Sequence, residues 1–202
     1  MYSMKKLFFY FILIYSLPSF GQDSWELKKT EHDIKVYTRA KDSSAIKEYK
    51  VTMSLTASKE AILATILDAE NIKNWNYKTT ESRLIKQEGD SIFYVYMYND
   101  LPWPVMNRDF ISKLTINRPD KNTITIAIVP GADTLAKRRK GVIRMTKFKG
   151  TWLLKETANG TTEVTQQIHG EPEGNLPLFI INSTLVSAPF NTFLKLREIL
   201  KK

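Results

Sequence analysis

No cysteine occurs in the 202-residue chain. That absence excludes disulfide staples, a thiolate nucleophile and a lipid-modified cysteine at the end of a leader, and it leaves packing as the source of stability. The two histidines, His32 and His169, stand in unrelated contexts with no ligand-spaced cluster around either, so no metal site is expected. A Gly-x-Ser-x-Gly elbow, a phosphate-binding Gly-rich loop and a dinucleotide fingerprint are all missing. Their absence removes the common hydrolase, NTPase and dehydrogenase chemistries, and with them any expected cofactor. Internal repeats and low-complexity linkers are absent as well, which argues for one domain and against a solenoid.

The remaining composition is that of a globular protein. Hydrophobic residues make up 43% and charged residues 25% of the chain, enough apolar material to exclude disorder and to form one core. The first segment differs from the rest: Lys5 and Lys6 precede an apolar run from Leu7 to Leu17, and Ser19-Phe20-Gly21 places small residues where a signal peptidase reads them. This is the pattern of a secretory signal peptide, residues 1–21, cleaved after Gly21. The run is shorter than the roughly 20 residues of a membrane-spanning helix, and Pro18 and Gly21 close it. The mature chain, residues 22–202, is therefore expected to be exported, to a periplasm or to the outside. Loss of Lys5 and Lys6 lowers the formal charge of +9 by two and leaves a basic protein. Its basic residues are scattered, and no nucleic-acid-binding module accompanies them, so no nucleic acid is expected as a partner. The one dense run, Lys137-Arg138-Arg139-Lys140, reads as a solvated loop between strands, with attraction to anionic lipid as the second reading.

Periodicity supplies the elements. Residues Glu26-Lys29 and Ile34-Thr38 alternate around a turn at His32-Asp33, and Ile46-Leu55 follows as a third strand. Ser58 caps a helix carrying Ile62, Leu63, Ile66 and Leu67, which ends near Asp68, and a short second helix leads to Trp75. Six strands follow at Glu81-Gln87, Ser91-Tyr98, Asn107-Asn117, Thr123-Val129, Val142-Glu156 and Thr161-His169, with turn signals at Glu88-Gly89-Asp90 and Asn159-Gly160; they read as one antiparallel meander. From Leu176 to Lys202 the spacing is helical, with Phe179, Ser183, Val186, Phe190 and Phe193 on one side and Pro189 as a kink. This order predicts an α+β fold in which a curved antiparallel sheet wraps a long C-terminal helix around a cavity.

Several segments resemble the StAR-related lipid-transfer (START) domains, whose helix-grip fold has this architecture. The resemblance spans most of the mature chain. It is carried by Trp75, by Leu101-Pro102-Trp103-Pro104 leading to Asn107-Arg108-Asp109-Phe110, by Gly141-Val142-Ile143-Arg144, by Gly150-Thr151-Trp152, and by Glu171 to Pro177 before the last helix. The resemblance implies that the residue after the Arg-Asp pair faces a lipid cavity. Strand alternation then turns Arg108, Phe110, Ser112 and Leu114 inward and Asp109 and Ile111 outward, with Phe93, Val95 and Met97 inward on the preceding strand. Tyr94, Tyr96 and Tyr98 are left as a half-exposed ladder on the other side. On the helix, Phe179, Ser183, Val186 and Phe190 complete the expected lining.

Two departures narrow the ligand that the resemblance implies. Sterol-binding members place an acid and an arginine where this chain has Val95 and Leu114. Members that hold phosphocholine flank the tryptophan with an arginine and an aspartate, where this chain has Ile72 and Asn76. Arg108 remains as the charge in the expected cavity. It either pairs with a carboxylate of the protein or anchors a carboxylate or phosphate of a ligand, to which a guanidinium presents a matching fork. The loop holding Leu101, Trp103, Val105 and Met106 is apolar and stiffened by proline, so it either buries Trp103 or touches a membrane at the cavity mouth.

The expected activity is that of a monomeric, non-catalytic carrier of a lipid or other hydrophobic molecule, with transient membrane-surface contact. A cyclase-like or aromatase-like enzyme of the same broad fold is the alternative, with Arg108, Asp109 or His169 as acid-base groups. It would require those groups to converge in the cavity.

Overall fold

The computed structural model describes residues 24–41, 44–174 and 176–201. The expected leader, residues 1–21, lies outside them. Alternation writes the first strands: β1 (Glu26–Glu31) and β2 (Ile34–Lys41) form a hairpin. Its turn holds His32 and Asp33 at φ of 51° and 59°, the paired left-handed conformation that matches the twist of a tight hairpin. Strand β3 (Ser44–Leu55) follows, burying Val51, Met53 and Leu55. Helix α1 (Lys59–Leu67) starts where Ser58 Oγ accepts the Ala61 N–H at 3.2 Å, and it buries Ile62, Leu63 and Ile66. A 3-10 turn at Ile72–Asn74 then delivers Trp75 into the interior.

Strands β4 (Thr79–Glu88), β5 (Ile92–Asn99), β6 (Arg108–Asp120) and β7 (Thr123–Pro130) form a consecutive antiparallel meander. The expected strand Val142–Glu156 is in fact two: β8 (Ile143–Met145) and β9 (Phe148–Glu156). The register explains the break. Strand β7 ends with Pro130 opposite Ser112, so the backbone edge of Arg108 to Phe110 is left without a partner. Strand β8 fills that edge in parallel, pairing Arg108 with Ile143 and Phe110 with Met145, which satisfies main-chain groups that would otherwise be orphaned. Strand β9 then crosses to the far side of β7, and β10 (Thr162–Gly170) joins β9 to β3. Nine strands of the ten-stranded sheet therefore run β1-β2-β3-β10-β9-β7-β6-β5-β4, and the tenth, β8, lies off this path beside β6.

Helix α2 (Leu178–Leu200) lies in the grip of this sheet. Trp152 of β9 stacks on Phe193 with centroids 5.4 Å apart and planes 8° apart, and meets Trp75 edge-on at 6.3 Å. Phe193 and Leu196 are fully buried, each contributing about 1.5–3 kcal/mol. Together with Ile124, Leu154, Val164, Met53, Leu55 and the buried face of α1 they belong to one continuous hydrophobic core. That core fills one end of the interior and leaves the other end open.

Candidate ligand cavity

The unfilled end is a cavity of 450 Å³ between the sheet and α2. Inward positions of several strands reach it: Val95 and Met97 from β5, Arg108, Phe110, Ser112 and Leu114 from β6, and Ile128, Trp152 and Ile168 from the strands beyond. Leu101, Pro102 and Val105 border it from the β5–β6 loop, and Pro172, Leu176 and Ile180 border it from the entry to α2. A separate depression of 570 Å³ lies on the surface beside α1, flanked by Glu60 and Arg118. Those two side chains form a bidentate pair at 2.7 and 3.0 Å across it, and it shares no residue with the interior cavity.

The remaining candidates fall elsewhere. Phe93 is partly buried against the core without bordering the cavity. On α2, Phe179 is 74% exposed and Ser183 faces solvent, while Val186 and Phe190 pack into the core. The cavity side of the helix carries Ile181, Thr184, Leu185, Ala188 and Thr192 instead. The expected stripe began two residues early, a rotation of roughly 200° on a helix that advances about 100° per residue. Ile180 and Ile181 supply an equally good apolar stripe, and only docking against the sheet chooses between them. Trp103 and Met106 turn outward at the mouth, with Trp103 92% exposed, so the expected alternative of a core role for Trp103 does not hold.

Arg108 is 5% exposed and has no carboxylate within ion-pair distance among the described residues. Its Nη1 donates to the Met106 carbonyl at 2.8 Å and its Nη2 to the Glu173 carbonyl at 3.2 Å. Its Nε is buried without a partner. Burial pushes the Arg108 guanidinium below its ordinary range, because desolvation disfavours the charged form. The structural reading, an ion pair with a neighbouring acid, is thus not realised.

The acid next to it in sequence pairs with another arginine on the opposite side of the sheet. Asp109, 1% exposed, takes Arg144 Nε at 2.7 Å and Nη2 at 2.9 Å, and accepts the Tyr96 hydroxyl at 3.1 Å. Arg144 also reaches Asp133 at 2.7 Å. The Asp109 hydrogen bonds hold Arg144 above its ordinary range. Asp109 is outward in parity, as strand alternation requires, yet buried, because the Arg144 side chain and the loop before β8 cover that face. For the same reason Tyr96 is buried, 1% exposed, and only Tyr94 and Tyr98 of the tyrosine ladder are partly exposed. Half of the basic run is engaged too: Arg138 binds Asp133 at 2.8 Å and Arg139 binds Glu81 at 2.7 Å, whereas Lys137 and Lys140 are exposed.

Other cavity groups escaped sequence reasoning. Tyr49 donates its hydroxyl to Gln166 Oε1 at 2.9 Å on the cavity wall, and burial pushes its phenol well above the usual range. Trp75 borders the cavity with its indole N–H unpartnered. A polar Gln166 at an inward position of the alternating β10 was the available signal for the first; for the second it was the family resemblance, which singles out Trp75.

Known proteins match this arrangement. A STAR-related lipid transfer protein from Xanthomonas axonopodis, solved as the fragment 25–204, superposes with a TM-score of 0.82 and 32% identity, covering 89% of this chain and all of that one. An uncharacterized protein of Pseudomonas aeruginosa is 34% identical over 180 residues, 89% of this chain and 88% of its own length. The phosphatidylcholine transfer protein of Mus musculus is 24% identical over 169 residues, 82% of this chain and 78% of its own length. The START domain family matches residues 14–202. On this fold, this helix grip and this match, the chain belongs to the START domain family.

Proposed function

We propose that the protein holds a lipid or similar hydrophobic molecule in the cavity between the sheet and α2, and carries it without changing it chemically. The observation that carries this reading is the lining itself: most of the side chains around the space are apolar, and among the described residues that border it none is Asp, Glu or His. Apolar surface removed from water contributes roughly 25 cal/mol per Å², so an acyl chain is retained without a set of specific polar contacts. The names of its relatives agree, one being a STAR-related lipid transfer protein and another a phosphatidylcholine transfer protein. The cyclase-like alternative needs an acid and a base facing one substrate. Asp109 lies on the opposite face in a buried pair, and His169 does not border the cavity.

The mouth loop completes the proposal. Exposed Trp103 and Met106 stand beside cavity-lining Leu101 and Val105, an arrangement suited to touching the headgroup region of a membrane while ligand passes. Export by the N-terminal segment would place the carrier in a periplasm or outside the cell, and a mass of the isolated protein matching cleavage after Gly21 tests that. For the carrier reading, native mass spectrometry of the mature protein, with organic extraction of whatever accompanies it, is the direct test. A lipid bound one to one, and transfer of labelled lipid between vesicles, are the expected results. An empty protein that takes up no lipid from vesicles would overturn the reading.

A further inference from the structure

Two buried arginines sit on neighbouring strands and are treated in opposite ways. Arg144, 2% exposed, has carboxylate partners in Asp109 and Asp133. Arg108, 5% exposed and on the cavity wall, has main-chain carbonyls alone among the described residues. A guanidinium carries five N–H donors; the two bonds of Arg108 leave three unspent, and its Nε is buried with no partner. The acid closest along that contact, Glu173, offers its backbone carbonyl, while its carboxylate accepts from Thr146 Oγ1 at 2.5 Å. A buried charge left in this state is disfavoured unless something else supplies the opposite charge.

The rest of the wall points the same way. Among the described residues that border the cavity, Lys78 and Arg108 are cationic and none is Asp or Glu. The Trp75 indole N–H is also unpartnered and buried. A quaternary ammonium head would bring a second positive charge beside Arg108 with no carboxylate to meet it. Of the aromatic rings that border the cavity, Tyr77 already has Lys78 Nζ 5.6 Å from its centroid. A headgroup with no charge would leave Arg108 as it is.

We infer that the ligand is an amphiphile with an oxyanion head, a carboxylate or a phosphate, and that Arg108 receives that head inside the cavity. This rests on the lipid-binding reading above. It assigns the polar end of the ligand to the β6 end of the cavity, near the mouth loop and the entry to α2, with the apolar chain running toward Trp152 and the core.

The test uses the mature protein equilibrated with vesicles of phosphatidylcholine, phosphatidylglycerol and oleic acid in equal amounts, followed by native mass spectrometry and extraction. The expected result is at least about tenfold more oleate or phosphatidylglycerol than phosphatidylcholine per protein, the scale of one charge-assisted contact. Oleate in excess identifies the carboxylate source; phosphatidylglycerol in excess identifies the phosphate source. Arg108→Gln is expected to erase that ratio while still retaining some lipid, and Arg108→Lys to restore part of it. Because the ratio is first read on the wild-type protein, a folding defect in a variant does not remove the test. Equal recovery of phosphatidylcholine, or an unchanged ratio in Arg108→Gln, would overturn the inference and leave the carrier reading standing. Recovery of no lipid of any class would overturn the carrier reading, and this inference with it.

Discussion

Trp103→Ala separates stability from membrane contact, because the side chain touches so little of its own protein. At 92% exposure its removal takes almost nothing from the folded state, and surface changes of this kind stay within about 0.5 kcal/mol. At a membrane the account reverses. A tryptophan offers about 150–250 Å² for burial, which at roughly 25 cal/mol per Å² sets an upper limit of about 4–6 kcal/mol. The headgroup region buries about half of such a ring, so about 2 kcal/mol is expected, a roughly 30-fold weaker partition. Vesicle co-sedimentation of wild type and variant against increasing lipid measures the ratio. Intrinsic fluorescence provides a second readout: of the four tryptophans, Trp75 and Trp152 are buried, so a blue shift on vesicle addition reports on Trp25 and Trp103 and should shrink in the variant. Equal partitioning of the two proteins would refute membrane contact through this loop. A large loss of thermal stability would refute the claim that the ring stands free.

Other consequences are as concrete. Asp109→Asn leaves Arg144 buried with only the partly exposed Asp133 as a carboxylate partner, so urea unfolding should show a loss of about 3 kcal/mol, the lower end for breaking a buried pair; a loss as small as that of a surface pair, under about 1 kcal/mol, would contradict the geometry. Gly150→Ala places a methyl group 2.6 Å from Ile168 Cγ1 and 2.9 Å from the Gln167 carbonyl, and the overpacking should cost about 1–3 kcal/mol by the same measurement; an unchanged midpoint would mean that β9 and β10 are less closely apposed. Ala188→Phe projects a ring from the cavity side of α2 and should sharply reduce lipid recovered with the protein without lowering its melting temperature; full lipid occupancy in that variant would contradict the assignment of this helix face.

Sequence alone determined those features whose cause is local. Strand alternation in β5, β7 and β9 follows from side chains pointing to opposite faces at each step, and the β9 row Phe148, Gly150, Trp152, Leu154 is inward because every second residue is apolar or small. The hairpin turn at His32-Asp33, the Ser58 cap and the glycine turns at Gly89 and Gly160, with φ of 58° and 77°, are likewise short-range. The segment from Asn107 to Phe110 was legible through family resemblance, since its parity could not be chosen between two plausible faces of β5 and β6 by pattern.

Tertiary structure decided what depends on partners distant in the chain. The face of α2 is one such case: its apolar residues nearly encircle the N-terminal half, so the sheet selects Ile181 and Leu185 for the cavity and leaves Phe179 in water. The division of Val142–Glu156 is another, because a break at Thr146 and Lys147 arises from the open edge of β6 and not from any turn residue in the segment. The charges are the third. Arg108, Asp109 and Arg144 are indistinguishable as ion-pair candidates in one dimension; the parallel docking of β8 joins Asp109 to Arg144 on the covered outer face and leaves Arg108 inside without an acid. Local periodicity sets which side of its strand Asp109 occupies, but the charge that meets it there is brought by Arg144, 35 residues along the chain.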